Sequence, residues 1–505
     1  MAVLLHNTSR TLISSILEVS KDYPQKASSP LWTVQTLITA LIYQFWTGDL
    51  RGLEFVSSIR ATITSFIKHA LTEKLSRQHH QSWSDFIETE LVIRAFFSIY
   101  ILFGSLTMLY NYPLQIEEVP PNTPLPCSEV FWNSADSMFT HPFGIPQSPR
   151  FHQVLEAMSQ SAEATTARFG CLSPLALRAL GTTLFKRSWR LTNSSPVVDD
   201  AKRDELLAII DTWETIAVDA NPGQGQALTQ FWLSSPSLVL AMAVEDGEPT
   251  PIRSNSISSN GQQMTLMQRI RSQQHPLLFD AHVQALVSQA RLLVPMPLVH
   301  ASIRFHVPHD ISSAALASLH AFAKRSDPQL EASLTRLVGK CFELFKLAKI
   351  SGVTLLETCP EVLLSFFELC LVLVFWCFRH EQAEAAVGSP GTATLRRDPL
   401  YAELDRFCTE VGMEREDGRW ASAIALAGSE MLEKCSTWGV AAMLALSLRA
   451  FGFQLMSTQE ASPTTAAAVP GGLGAMTMPS PPERILNQPL VSNLRTTSEK
   501  GYIYM

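Results

Sequence analysis

Between Glu88 and Trp132 the chain reads ETELVIRAFFSIYILFGSLTMLYNYPLQIEEVPPNTPLPCSEVFW, and this segment restricts the fold more than any other. From Ala95 to Tyr112 there is no charged residue, so a helix here must be buried on nearly every side. Pro113, Pro120, Pro121, Pro124 and Pro126 then remove backbone donors and forbid the helix from continuing. The expected product is a long buried helix that runs straight into an extended, ordered crossing. Glu90 stands four residues before Arg94, the spacing of an intrahelical pair that contributes about 0.2–0.5 kcal/mol if exposed.

The whole chain supports a helical reading. Hydrophobic residues make up 46% and charged residues 17%, which favours helix-on-helix burial over an acidic, disordered activator. With 39 basic against 46 acidic residues, the net charge of −7 gives no general attraction to phosphate. Cys127, Cys171, Cys341, Cys359, Cys370, Cys377, Cys408 and Cys435 include no pair at the spacing of a zinc knuckle, and read as reduced thiols of an intracellular protein. The stretches 95–112 and 362–378 look like membrane spans. Both fall short of the roughly 20 apolar residues a bilayer requires. Glu368 inside the second would cost about 2.5 kcal/mol or more at mid-depth, so both are read as central buried helices, with no membrane role.

Leu12, Ile13, Ile16 and Leu17 recur at helical spacing and predict a helical lead-in over 1–29. PLWTVQTLITALIYQFWTGD is apolar nearly all round, with Gly48 as its stop, while Val56, Ile59, Ile63, Phe66 and Ala70 line one face of the next helix. Ser173 is a good N-cap before Pro174 as first-turn residue, with Leu177, Leu180 and Leu184 on one face. Leu206, Ile209, Ile210, Trp213 and Ile216 mark a further amphipathic helix. NPGQGQAL from Asn221 reads as a turn, 245–263 and 381–398 as flexible loops, and the Ala/Pro/Gly/Ser/Thr-rich 456–505 as a disordered tail. No two-residue alternation predicts a strand. The fold class is therefore all-α, a multi-helix bundle or helical stack.

The order of these segments over 30–455 resembles the fungal-specific transcription factor domain, the all-helical regulatory region of fungal zinc-finger factors, in the variety that follows two-cysteine two-histidine fingers. The resemblance rests on Trp32, Gln35 and Gly48; on Trp83, Glu90 and Arg94; on Pro113, Leu125, Pro126, Cys127 and Trp132; and on STWGVAAMLALSLRAFG with Trp438. These residues are read as architecture, with Trp32, Trp83 and Trp132 as core anchors. The resemblance implies a nuclear regulator of RNA polymerase II transcription of a specific gene set. Its partners would be transcriptional co-regulators or a small effector, and it allows a homodimer, although no heptad run predicts a coiled coil. The fingers themselves are missing from this sequence. DNA would be reached only through fingers upstream or a partner, and zinc would enter only with such fingers.

Other chemistry is weaker. His300, His306 and His309 with Asp310 flank a proline without converging spacing. Asp199, Asp200 and Asp204 resemble the aspartate-rich magnesium motif of helical terpene synthases with one residue too many, and suit a helix N-terminus better. No nucleophile elbow or phosphate loop is present. A helical magnesium-dependent isoprenoid enzyme and a membrane-associated helical protein stand as the alternatives to a non-enzymatic regulator.

Overall fold

The computed structural model of the chain describes residues 31–47, 50–76, 82–132, 148–170, 172–194, 199–233, 276–295, 310–325, 327–350, 360–387, 420–435 and 437–460, with a few positions between 402 and 409. The lead-in 1–29, the segment 245–263 and residues 461–505 lie outside these. The chain divides into two units, Met1–Gln459 and Glu460–Met505, and the described helices belong to the first, save Glu460 itself.

The described residues form fourteen helices and no strand, as an all-α chain requires. In order they are α1 (Leu31–Trp46), α2 (Leu50–Ser76), α3 (Trp83–Tyr110), α4 (Glu129–Trp132), α5 (Phe151–Met158), α6 (Ala162–Phe169) and α7 (Pro174–Ser194). There follow α8 (Asp200–Leu233), α9 (Pro276–Leu293), α10 (Asp310–Ala323), α11 (Pro328–Ile350), α12 (Pro360–Val387), α13 (Trp420–Glu433) and α14 (Gly439–Glu460).

The long helix α3 begins where Ser82 accepts a hydrogen bond from the Asp85 amide at 3.2 Å, with Asp85 itself favoured by the helix dipole. It ends at Asn111, which takes the left-handed conformation at φ 49°, so the stop comes two residues before Pro113. All of its residues from Ala95 to Tyr110 except Ser98 are buried, which is what an uncharged helix demands. It packs on α1, α2 and α7, while α7 lies along α9, and α9 and α13 pack on α12. One contiguous apolar core joins them. At its centre α12 buries every residue from Val362 to Phe378.

Several predicted faces form as read. Leu177, Leu180 and Leu184 are buried on α7, and Leu206, Ile209, Ile210, Trp213 and Ile216 on α8. Other expectations change. The helix α8 continues through Asn221–Gly225 to Leu233: a proline removes only one donor and crowds one carbonyl, about 3 kcal/mol that the flanking turns can offset. Residues 381–387 extend α12, because EQAEAAV is built of good helix formers, and α14 reaches Glu460 rather than stopping at 455. Among the described residues the buried tryptophans are Trp46, Trp213 and Trp376, whereas Trp83 and Trp132 are half-buried and the Trp32 side chain is outside the described set. An indole is large enough to anchor a helix from the rim, with one face still wet.

Three helical stretches, Trp83–Tyr110, Pro360–Ala383 and Gly439–Ser457, are long and apolar enough to cross a membrane by length and composition, because each extends past its apolar run. Their apolar windows are 78%, 94% and 44% buried within the protein, so α14 differs from the other two.

Candidate functional site

Four of the resemblance residues, Glu90, Arg94, Cys127 and Trp132, converge on the extended crossing between α3 and α4. A chain segment whose one bridge joins Pro124 to Arg150 must find other homes for most of its backbone groups. The Glu90 carboxylate, one turn above Arg94 on α3, accepts from the Cys127 amide at 2.9 Å and from Arg94 Nε at 2.9 Å. Arg94 uses the rest of its fork: Nη2 donates to the Cys127 carbonyl at 3.1 Å and Nη1 to Glu129 at 3.1 Å. Its guanidinium also lies 4.5 Å from the centroid of the Trp132 ring. Only a planar fork serves these acceptors and a ring at once.

The rest of the crossing is tied as closely. Ser173 caps α7 through the Ala176 amide at 3.2 Å and donates its hydroxyl proton to the Pro126 carbonyl at 2.9 Å. Lys186 Nζ, buried on α7, donates to the Ile116 carbonyl at 3.1 Å and the Tyr100 carbonyl at 3.2 Å, and sits 3.3 Å from the Tyr100 ring centroid. Burial pushes the Lys186 ammonium well below its ordinary range. Asn122, at φ 63°, turns the chain, and the Leu125 amide donates to the Pro149 carbonyl at 2.8 Å.

This clamp positions chain and offers no nucleophile. Burial pushes the Cys127 thiol up to about 12, with Glu90 adding to the effect, so the thiolate is absent at neutral pH. Burial also raises the Glu90 carboxyl, more than Arg94 and the Cys127 amide lower it. Burial alone would lower Arg94, but Glu129 and Glu90 raise it, so the guanidinium stays charged against them. With Glu90 only 2% exposed, the pair is far from the exposed one its spacing suggests. Arg94→Ala is therefore expected to destabilise the fold by about 1.5–3 kcal/mol, the range for hydrogen bonds to charged groups. Arg94→Lys should recover only part, and urea unfolding of the two variants checks both.

A second polar group of residues lies inside the bundle. Arg291 on α9 and Glu368 on α12 close a pair at 2.6 and 3.0 Å, and Arg291 also donates to the Met108 carbonyl of α3 at 2.8 Å. Arg178 on α7 is looser: Asp280 and Glu361 each stand 3.4 Å from it, and its Nε and Nη1 make no hydrogen bond. Thr182 donates to Gln284 Oε1 at 2.9 Å, while Gln284 Nε2 is buried without a partner. Glu214 meets Lys340 at 2.6 Å. Sequence reasoning found the Glu368 anomaly and missed the others.

The remaining predicted residues are dispersed. Gln35 is exposed on α1, Pro113 is exposed at the start of the crossing, and Leu125 and Pro126 are buried within it. Trp438 is half-buried just before α14, and Gly48 is outside the described residues. Asp199 accepts from the Ala201 amide at 3.1 Å, and Asp200 and Asp204 both pair with Arg203, at 2.5 and 3.0 Å, so these acids serve a helix start. His300, His306 and His309 lie outside the described residues, among which no group of three metal-ligating side chains occurs.

No curated protein and no solved structure matches the chain. The family model of the fungal specific transcription factor domain matches residues 3–215, a span holding α1 to α7, the start of α8 and the whole clamp, and over that span the chain is similar to this domain.

Proposed function

We propose that the chain is a nuclear regulator of RNA polymerase II transcription of a specific gene set, with its helical body as the regulatory and interaction region. The family match over 3–215, which includes the complete clamp, is the observation that carries this reading. The helices beyond residue 215 pack into the same apolar core as those before it, which supports one regulatory unit over 30–455. DNA contact comes from zinc fingers or a partner outside that region, and the helical body transmits the presence of a co-regulator or small effector to transcription. Arg178, buried on α7 with Asp280 of α9 and Glu361 of α12 each 3.4 Å away, keeps an Nε without a hydrogen bond, which supports an effector that brings an acceptor.

Fusion of the chain to a heterologous DNA-binding domain, with a reporter gene beneath the matching site, tests the reading. Reporter transcription should rise or fall relative to the DNA-binding domain alone. A folded, nuclear fusion that leaves the reporter unchanged would contradict it.

A further inference from the structure

We propose that the effector of this chain, on the regulatory reading on which this rests, is a small uncharged amide that binds inside the bundle between α7, α9 and α12. Arg178 and Thr182 on α7, Asp280 and Gln284 on α9, and Glu361 and Ser365 on α12 are each one turn apart, so each helix turns two polar residues to one side. They meet at two levels. Arg178 stands 3.4 Å from both Asp280 and Glu361, and one turn further along α7 and α9 Thr182 meets Gln284 at 2.9 Å. Helix α3 closes the group, with Ser105 Oγ 3.3 Å from Glu361 and Gln284 Nε2 3.9 Å from where a Cβ on Gly104 would lie. The side chains of Asp280 and Glu361 keep 13% and 18% of their exposure, so the first level reaches solvent.

Three groups of this seam lack partners. Arg178 Nε, Gln284 Nε2 and Ser365 Oγ make no hydrogen bond, on residues that are 2%, 1% and 1% exposed. A buried group left in this way bears its whole desolvation cost, which is why such groups are rare and point to a missing partner. The helices themselves do not prevent closure. Two turns further along the same pair, α9 and α12, Arg291 closes on Glu368 at 2.6 and 3.0 Å, whereas Arg178 is held off both of its carboxylates.

Charge and hydrogen-bond sense select the occupant. All three unpaired groups can donate, and Arg178 Nε and Gln284 Nε2 can only donate, so the occupant brings an acceptor. One guanidinium already faces two carboxylates, so a carboxylate or phosphate would add to a surplus of negative charge. A cation would set its charge against N–H donors. An uncharged amide suits both sides: its carbonyl oxygen accepts from two of the three donors, and its N–H donates to Glu361 or Asp280 at the wetter level.

Saturation-transfer NMR of the purified 505-residue chain with acetamide, acetate and acetamidinium tests this, because the three probes share one shape and differ in charge. Acetamide should take up saturation with an affinity on the order of millimolar, as befits so small a ligand, and the two ions should not. Arg178→Met should abolish the transfer. Should that variant fold poorly, Ser365→Ala removes one donor with little change in packing and should weaken acetamide about fivefold, the effect of one hydrogen bond. No transfer to acetamide, which would leave the donors to water alone, equal transfer to all three probes, or wild-type affinity in Ser365→Ala would each overturn the proposal. These measurements involve no promoter, so a failure here removes the amide and leaves the transcriptional reading, whereas a silent reporter fusion removes that reading and leaves the binding result.

Discussion

Arg291→Met is expected to destabilise the folded chain by about 3–5 kcal/mol, the usual consequence of leaving one member of a buried ion pair without its partner. Glu368 is 0% exposed, in the middle of the fully buried stretch of α12, and Arg291 supplies it with two hydrogen bonds while a third ties α3 at Met108. The guanidinium also stands over the Phe185 ring at 5.0 Å, so four helices meet at this one side chain. The double variant Arg291→Met with Glu368→Met should recover most of the loss, because two apolar residues of similar volume need no counter-charge. Urea unfolding of the single and double variants decides the matter: equal losses in both would show that the pair's charge is not what the core depends on.

The second large effect concerns acid. His282 on α9 is buried, both ring nitrogens lack hydrogen-bond partners, and its ring meets Trp213 edge-on at 5.1 Å. Burial, helped by the Lys340 charge, pushes its imidazole down to about 3 from 6.5. In the unfolded chain the ring takes up a proton near pH 6.5, and in the folded chain it does not until about pH 3. The contribution of neutral His282 is therefore complete above pH 6.5 and is lost progressively as pH falls towards 3. One proton corresponds to a slope of at most about 1.4 kcal/mol per pH unit, so the accumulated loss is of the order of a few kcal/mol. His282→Leu should leave stability at pH 7 little changed and flatten the curve below pH 6. A variant whose stability falls with acid as steeply as that of the wild type would remove His282 from the account.

The sequence showed most of the local structure. Ser173 before Pro174, and the faces of α7 and α8, were legible because caps and three-to-four spacing are properties of neighbouring residues. The Glu90–Arg94 pair was legible for the same reason, but its true weight was not. Cys127 and Glu129, which bury it and complete the clamp, are some 35 residues away in the chain. Glu368 stood out as a misfit in an apolar run, yet nothing local pointed to Arg291, 77 residues distant. Arg178 and Lys186 looked like any solvent-facing cation of an amphipathic helix. The tryptophans were read by bulk alone, and bulk does not say whether an indole fills the core, as Trp213 does, or caps an arginine from the rim, as Trp132 does. NPGQGQ read as a turn because propensity is local, while helix continuation is settled by the turns on either side.

The central claim is that the clamped helical body belongs to a regulator of transcription. Sequencing of transcripts in source cells that lack the chain, beside cells that regain it as wild type or as Arg94→Ala, tests this most directly. A restricted set of RNA polymerase II transcripts should change on loss, return with the wild type, and return incompletely with the variant whose clamp is broken. Transcript levels indifferent to the chain under every growth condition in which it is expressed would contradict the account.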